Sequence, residues 1–223
     1  MVYLALNLAE LDIVTIIIIA ANVFISFKGF KDPYFFEKYK FNTGAVRRGE
    51  KIRLLSSGFL HVDTAHLFLN MLTLYFFANV VISTVGSLGF LLIYFVSLLV
   101  GNLLSYYFHR NDSNYNAVGA SGAVSGIIYA GILLYPNMSL YMFFIPIPIP
   151  AYIFGIGYLF YSIYGMKRQL GNIGHDAHFG GAVGGYLLTL ILAPWIFQEH
   201  LLMVLLLAIP ILFLFFLQKT GRL

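Results

Sequence analysis

The chain has 223 residues, 60% hydrophobic and 10% charged, whereas a soluble domain carries about 25% charged and about half apolar residues. That balance excludes an ordinary soluble domain, and the lack of Cys excludes disulfides, thiolate metal sites, iron–sulfur clusters and cysteine nucleophiles. A net charge of +4 would elsewhere prompt a search for nucleic acid, but here the basic residues occupy loops and no nucleic-acid partner is expected.

A first apolar run, LDIVTIIIIAANVFISF at 11–27, follows Glu10, with no Lys or Arg before it. A cleaved secretory signal needs a basic start, so this span is expected to be retained. The loop from Lys28 to Gly58 holds 8 of the 13 basic residues: Lys28, Lys31, Lys38, Lys40, Arg47, Arg48, Lys51 and Arg53. Its Tyr34, Phe35, Phe36 and Tyr39 suit a segment lying at the bilayer interface. Further runs near 65–83, 88–107, 120–135, 150–165, 177–196 and 200–217 bring the predicted spans to seven. Breaks fall at Ser83–Ser87, Asn111–Asn116, Pro136–Ser139, Lys167–Asn172 and Gln198–His200. Closed barrels need alternating strands, so the spans are read as helices. Pro146, Pro148 and Pro150 alternate with Ile before the fifth run and predict an extended lead-in to it. Pro210 is expected to kink the last span. Seven spans of about 20 residues leave too little chain for a second soluble domain of usual size. The expected fold class is an all-α polytopic membrane protein, one domain over residues 1–223.

Ionisable and amide side chains within a span are costly and are functional candidates by default. In HVDTAHLFLN, His66 and Asn70 are four apart and share a helix face. Such groups also serve as polar glue between helices. In VGASGAVSG, residues 118–126, a Ser flanked by Gly opens the fourth span, a pattern common in tight helix packing. In GHDAHFGGAVGG, residues 174–185, Gly181 and Gly185 follow His178 on roughly its own face.

Together the clusters say more. Gly122 and Gly126 form one GxxxG, Gly181 and Gly185 another, so two backbones can approach closely and bring Ser121 within reach of His178. A Ser hydroxyl becomes a useful nucleophile when a base accepts its proton, and neutral His suits that task near pH 7. Donors for an oxyanion are the N–H groups beside Ser121 at a helix N-terminus, the Asn70 amide and the His66 imidazole. From Ala120 to Leu134 the fourth helix is roughly 22 Å long, against a hydrocarbon core of about 30 Å. One end must therefore lie below the membrane surface. If it is the Ser121 end, the polar loop His109–Asn116 lines a water-accessible cavity, and hydrolysis requires that water.

These residues resemble those of the rhomboid family of intramembrane serine proteases, over about Arg53 to Pro194. GASG at Gly119–Gly122 resembles the family's GxSG, whose serine is the nucleophile, and implies that role for Ser121. AHFGGAVGG at Ala177–Gly185 resembles the sixth-helix motif and implies His178 as the catalytic histidine. His66 and Asn70 resemble the HxxxN implicated in oxyanion stabilisation, and Gly119 and Gly122 of the serine motif are expected to share that oxyanion- and substrate-stabilising role. IRLLSSGFLH, residues 52–61, resembles the end of the first loop, with Ile52 and Arg53 where a Trp-Arg pair is usual. The resemblance implies a six-helix core at about 11–196, a seventh C-terminal span at about 200–217, no cofactor and no metal. The implied partners are transmembrane protein substrates and the lipid bilayer; the implied location is the plasma (inner) membrane of a bacterium. Substrates would enter laterally near the fifth helix, whose IPIPIP lead-in loosens its packing. Many members carry an aromatic residue one turn after the nucleophile, packed on the catalytic imidazole. Here that position is Ser125, so another group, such as Tyr129, Phe179 or a water, is expected to orient His178. Arg53 is expected to support the first loop.

Three other readings exist. A non-proteolytic rhomboid-like protein that binds membrane clients would need none of Ser121, His178, His66 and Asn70. A metalloprotease using His175, Asp176 and His178 with His61 or His66 lacks HExxH. A transporter would need mid-span charges that are missing. His61 and His175 are expected at the interface or in the cavity wall, and His109, His200, Arg110, Lys167 and Arg168 in solvated loops. All 13 Lys and Arg fall on the side of the first, third and fifth loops. The positive-inside rule then places the site's mouth in the cytoplasm, opposite to the outward mouth usual in bacterial rhomboids.

Overall fold

The computed structural model describes residues 11–142, 145–170 and 173–223. Glu10 and the pair Gly171 and Asn172 lie outside the described residues.

The first helix, α1 (Ile13–Lys31), starts where the Asp12 carboxylate accepts the Val14 N–H at 2.9 Å. Its buried residues are Thr15, Ile18, Asn22, Ser26 and Gly29, while Ile13, Ile16, Ile17, Phe24 and Phe27 face outward. That polarity is inverted relative to a helix on a soluble protein, as expected where the surrounding medium is lipid. The inward Asn22 donates to Ile18 O at 2.9 Å and to Tyr94 OH at 3.3 Å.

The first loop folds into short elements: α2 (Pro33–Tyr39), β1 (Phe41–Asn42), α3 (Thr43–Arg47), α4 (Arg53–Ser56) and a 3-10 turn at Ser57–Phe59. Asp32 caps α2 by accepting the Phe35 N–H at 3.0 Å, and Pro33 opens it, both usual helix-start signals. Buried Arg53 donates to the Glu37 and Lys40 carbonyls at 2.8 Å each and to the Glu50 carboxylate at 2.7 Å. It pins this loop.

The next helix, α5 (Thr64–His109), has 46 residues, interrupted at Gly86 with φ 72° and ψ 170°. That backbone region suits only glycine, and the break lies within the predicted Ser83–Ser87. The Thr64 end lies by the start of α6 (Ser121–Leu134) through His61, and His109 meets Asp176 at the start of the later helix that carries His178, so α5 is a helical hairpin of two spans. Between them β2 (Asn116–Ala117) pairs antiparallel with β1, tying the third loop to the first. Every α6 residue from Gly122 to Leu134 is buried, so α6 is the central post of the core.

After α6 come β3 (Ser139–Met142) and β4 (Ile145–Pro150), an antiparallel hairpin. The proline lead-in is extended as expected. It enters α7 (Ala151–Arg168), followed by α8 (His175–Leu192), α9 (Ile196–Glu199) and α10 (Leu201–Lys219). The α10 helix continues through Pro210 rather than ending there. Leu201, Leu202, Leu205, Leu212, Phe215 and Phe216 of α10 are exposed, a further lipid-facing surface. The protein is all-α and polytopic, and its two short β-pairs are connectors.

Where α6 meets α8 the sequence supplies glycine on both sides. A Cβ added to Gly181 would overlap the Gly122 backbone, and one on Gly185 the Gly126 backbone. The two GxxxG patterns therefore pair with each other, as their spacing predicts.

Candidate active site

A bend at Gly119 delivers the start of α6. Gly119 has φ 130°, which disfavours any side chain. A Cβ there would also stand 2.7 Å from His66 Cε1, 2.9 Å from His66 Nε2 and 3.6 Å from Ser121 Oγ. The His66 ring and the Ser121 hydroxyl thus flank the Gly119 α-carbon. The Gly119 N–H donates to Ser57 O at 3.0 Å, and the Ala120 N–H to His61 Nε2 at 3.3 Å. Ser121 is the first residue of α6, and no side chain caps that end. The first N–H groups of a helix have no intrahelical partner and carry its positive end. An oxygen bearing negative charge would be stabilised there.

On the facing helix, the His178 N–H donates to Gly174 O at 3.0 Å. The Ala177 carbonyl oxygen lies 3.3 Å from a Cβ built on Gly122, so Ser121 and His178 occupy neighbouring positions across the α6–α8 contact. Asn70 is 7% exposed and donates one amide proton to His66 O at 3.0 Å. An amide nitrogen carries a second. Ser121, His178, His66, Gly119 and Gly122 are thus brought together, and Asn70 stands one turn beyond His66.

Two other histidines are tied into the fold. His61 is fully buried. Its Nδ1 lies 2.8 Å from Ser26 Oγ, which donates to Phe59 O at 2.9 Å. With Nε2 accepting from Ala120, the ring is neutral and carries its proton on Nδ1. Burial, reinforced by His66, draws its pKa from 6.5 down to about 3, with Asp63 opposing. His109 is the last residue of α5 rather than a loop residue, and its Nε2 lies 3.1 Å from the Asp176 carboxylate. Tyr115 stacks on His109 at 3.6 Å and donates to Asp176 at 3.4 Å. Burial pushes the Tyr115 phenol well above its ordinary pKa.

Neither aromatic named for orienting His178 does so. The Tyr129 hydroxyl donates to Gly155 O, and Phe179 is sunk in the core. The ring facing His178 is Tyr158 of α7, centroids 6.2 Å apart and planes 19° from parallel. Nothing in the sequence marks Tyr158 among the aromatics of its span.

A cavity of about 800 Å³ is lined by His109 at the end of α5, by Arg110 and Asp112 of the polar loop, and by Lys167, His175 and Asp176, while Ser121, His178, His66 and Asn70 are not part of its wall. The polar loop lines this cavity, though Ser121 does not, and His175 forms part of the wall. Gln218 and Leu223 reach the same cavity, so the third loop, the fifth loop and the C-terminus share one end of the molecule.

The Rhomboid domain family matches residues 48–195. The chain belongs to the rhomboid family. Among its relatives it is 30% identical to the "RHOMBOID-like protein 12, mitochondrial" of Arabidopsis thaliana over 79% of this chain and 57% of that protein. It is 29% identical to "Rhomboid protein 1, mitochondrial" of Saccharomyces cerevisiae over 61% of this chain and 40% of that one. It is 34% identical to the "Rhomboid protease GluP" of Bacillus subtilis over 63% of this chain and 26% of that one. The rhomboid chain described here thus spans about half or less of these relatives' length. Mitochondrial and bacterial proteins stand side by side among them. They support a membrane protein, and not in particular the plasma membrane of a bacterium.

Proposed function

We propose that this rhomboid is an intramembrane serine endopeptidase that cleaves a peptide bond within or beside a transmembrane helix of a membrane protein. One observation supports the reading: glycine packs on glycine where α6 meets α8, so that Gly122, which follows Ser121 at the uncapped start of a buried helix, lies against Ala177, which precedes His178. In this reading neutral His178 takes the Ser121 proton as Oγ attacks the scissile carbonyl carbon. The oxyanion is held by N–H groups at the start of α6, by His66 and by the Asn70 amide. His178 then returns the proton to the leaving amine, and water releases the acyl group by the same steps in reverse. Extended backbone is required of the substrate, because a peptide bond inside a regular helix is shielded. The reading takes residues 1–223 as one rhomboid-like membrane domain, core about 11–196, with α10 as an added span.

Counted loop by loop, all 13 Lys and Arg fall on the side that this reading takes as the mouth. The outward mouth implied by the family is retained here, against the charge bias. A reporter fused to the C-terminus, which lies at that end, reads the orientation, and a cytoplasmic signal overturns it.

The chemical test is covalent labelling of detergent-purified protein by a fluorophosphonate, comparing wild type with Ser121→Ala and His178→Ala, with and without a chelator. Labelling lost in both variants and indifferent to the chelator is the expected result, followed by cleavage of a model transmembrane substrate. A folded wild-type protein that does not label overturns the reading in favour of client binding without cleavage.

A further inference from the structure

A general base works at the angle at which its ring is held, and α6 carries Ser125, not a ring, one turn after Ser121. The Ser125 hydroxyl donates to Ser121 O at 2.8 Å and lies 2.7 Å from the Tyr158 hydroxyl. A hydroxyl has one proton, so with that proton on Ser121 O, Ser125 accepts from Tyr158. The chain Tyr158 to Ser125 to the Ser121 carbonyl fixes the height of the Tyr158 ring relative to the nucleophile's own backbone. Behind Tyr158, one turn earlier on α7, Phe154 stacks at 5.9 Å and 12°. Phe154, Tyr158 and His178 therefore form three near-parallel rings at spacings typical of attractive aromatic pairs. His175 meets the His178 ring edge-on at 6.4 Å and 71°. The imidazole has one face covered by α7 and an edge set by its own helix.

We propose that Tyr158 is the positioning residue for His178: its ring, braced by Phe154 and tethered by Ser125, supplies from α7 the aromatic surface that α6 lacks. The kinetic consequence rests on the serine-endopeptidase reading, whereas the ring contact does not. Ser125 is then half of a two-helix device. Its short side chain leaves room for a tyrosine from the neighbouring helix and supplies the acceptor that holds it.

The test compares fluorophosphonate labelling rates of wild type, Tyr158→Phe, Tyr158→Leu, Tyr158→Met, Ser125→Ala and the double variant Ser125→Ala/Tyr158→Phe, each checked for folding by thermal unfolding. Loss of the ring in Tyr158→Leu or Tyr158→Met is expected to slow labelling roughly ten- to a hundredfold, the size of effect a small misplacement of a reacting group produces. Tyr158→Phe keeps the ring and most of the rate. Ser125→Ala, which also gives up the bond to Ser121 O, is expected to fall within a few-fold of Tyr158→Phe, and the double variant to match Ser125→Ala, because the Tyr158–Ser125 bond is already lost in both single variants. A folded Leu or Met variant labelling at the wild-type rate overturns the proposal, as does a Phe variant as slow as Leu. A second readout needs no activity. In a Ser121→Ala background the His178 imidazole resonances, assigned with His178→Ala, are expected to move in Tyr158→Leu and to hold in Tyr158→Phe. Unmoved resonances in Tyr158→Leu overturn the ring contact. A folded wild type that never labels sinks the endopeptidase reading alone and leaves these resonances to decide Tyr158.

Discussion

Replacing Gly181 by Ala places a methyl group inside the backbone of the neighbouring helix. The added Cβ would lie 2.6 Å from Gly122 C and 2.9 Å from Gly122 Cα, and nearer still to the Gly122 carbonyl oxygen. Carbon atoms rest at about 3.5–4.0 Å, so α6 and α8 must part by roughly 1 Å. The obstacle is main chain and has no rotamer to yield. Overpacking of this kind costs about 1–3 kcal/mol, which appears as a lower unfolding midpoint in detergent. The same displacement separates Ser121 from His178, and a 1 Å misplacement lowers the rate by about a hundredfold. Thermal unfolding and fluorophosphonate labelling measure the two effects on one preparation. Gly157→Ala is the control: nothing lies within 4 Å of its Cβ, and alanine in a helix is favoured over glycine by about 0.5–1 kcal/mol. If Gly181→Ala matches Gly157→Ala in both assays, backbone contact does not set the spacing of the site.

Three further outcomes follow from the same geometry. His61 is held neutral with a pKa lowered from 6.5 to about 3, so its contribution to stability is complete above pH 6.5 and is lost as pH falls toward 3. The unfolding midpoint should drop from pH 7 to pH 5, less steeply in His61→Gln; equal slopes refute the role given to the neutral ring. His66→Ala removes a donor beside Ser121 and is expected to cost about a hundred- to a thousandfold in labelling rate, and a rate within a few-fold of wild type would remove His66 from the site. Arg53→Ala releases three acceptors of the first loop and should destabilise by about 1.5–3 kcal/mol, the usual range for a hydrogen bond to a charged group. Labelling per folded molecule should hold in Arg53→Ala, since Arg53 touches none of the site residues; a fall would refute a purely supporting role.

Features written in local pattern were legible from the residues alone. Apolar runs locate the long helices, the Ser83–Ser87 break coincides with the Gly86 bend, and IPIPIP reads as extended because proline cannot donate to a helix. The two GxxxG patterns anticipate the α6–α8 contact, and with it the neighbourhood of Ser121 and His178. Pairings between distant polar or aromatic residues were not legible. Tyr158 and Ser125 are 33 residues apart, each unremarkable in its own run. His109 finds Asp176 only once α5 and α8 are packed, and His61 is drawn inward by a backbone N–H that no composition argument reveals. The inward polar stripe of α1 was present in the sequence as Thr15, Asn22 and Ser26. It is visible only when the helix is read as inside-out.

The glycine seam between α6 and α8 also bears on mechanics. Side chains between helices act as springs, because they can change rotamer as a bilayer thins, thickens or bends. Along this seam the springs are missing, and main chain bears on main chain at Gly122 and Gly126. The helix pair therefore behaves as a stiff strut. A bilayer that changes thickness is expected to move the side-chain-mediated joints around α7 and α10 before it moves this seam.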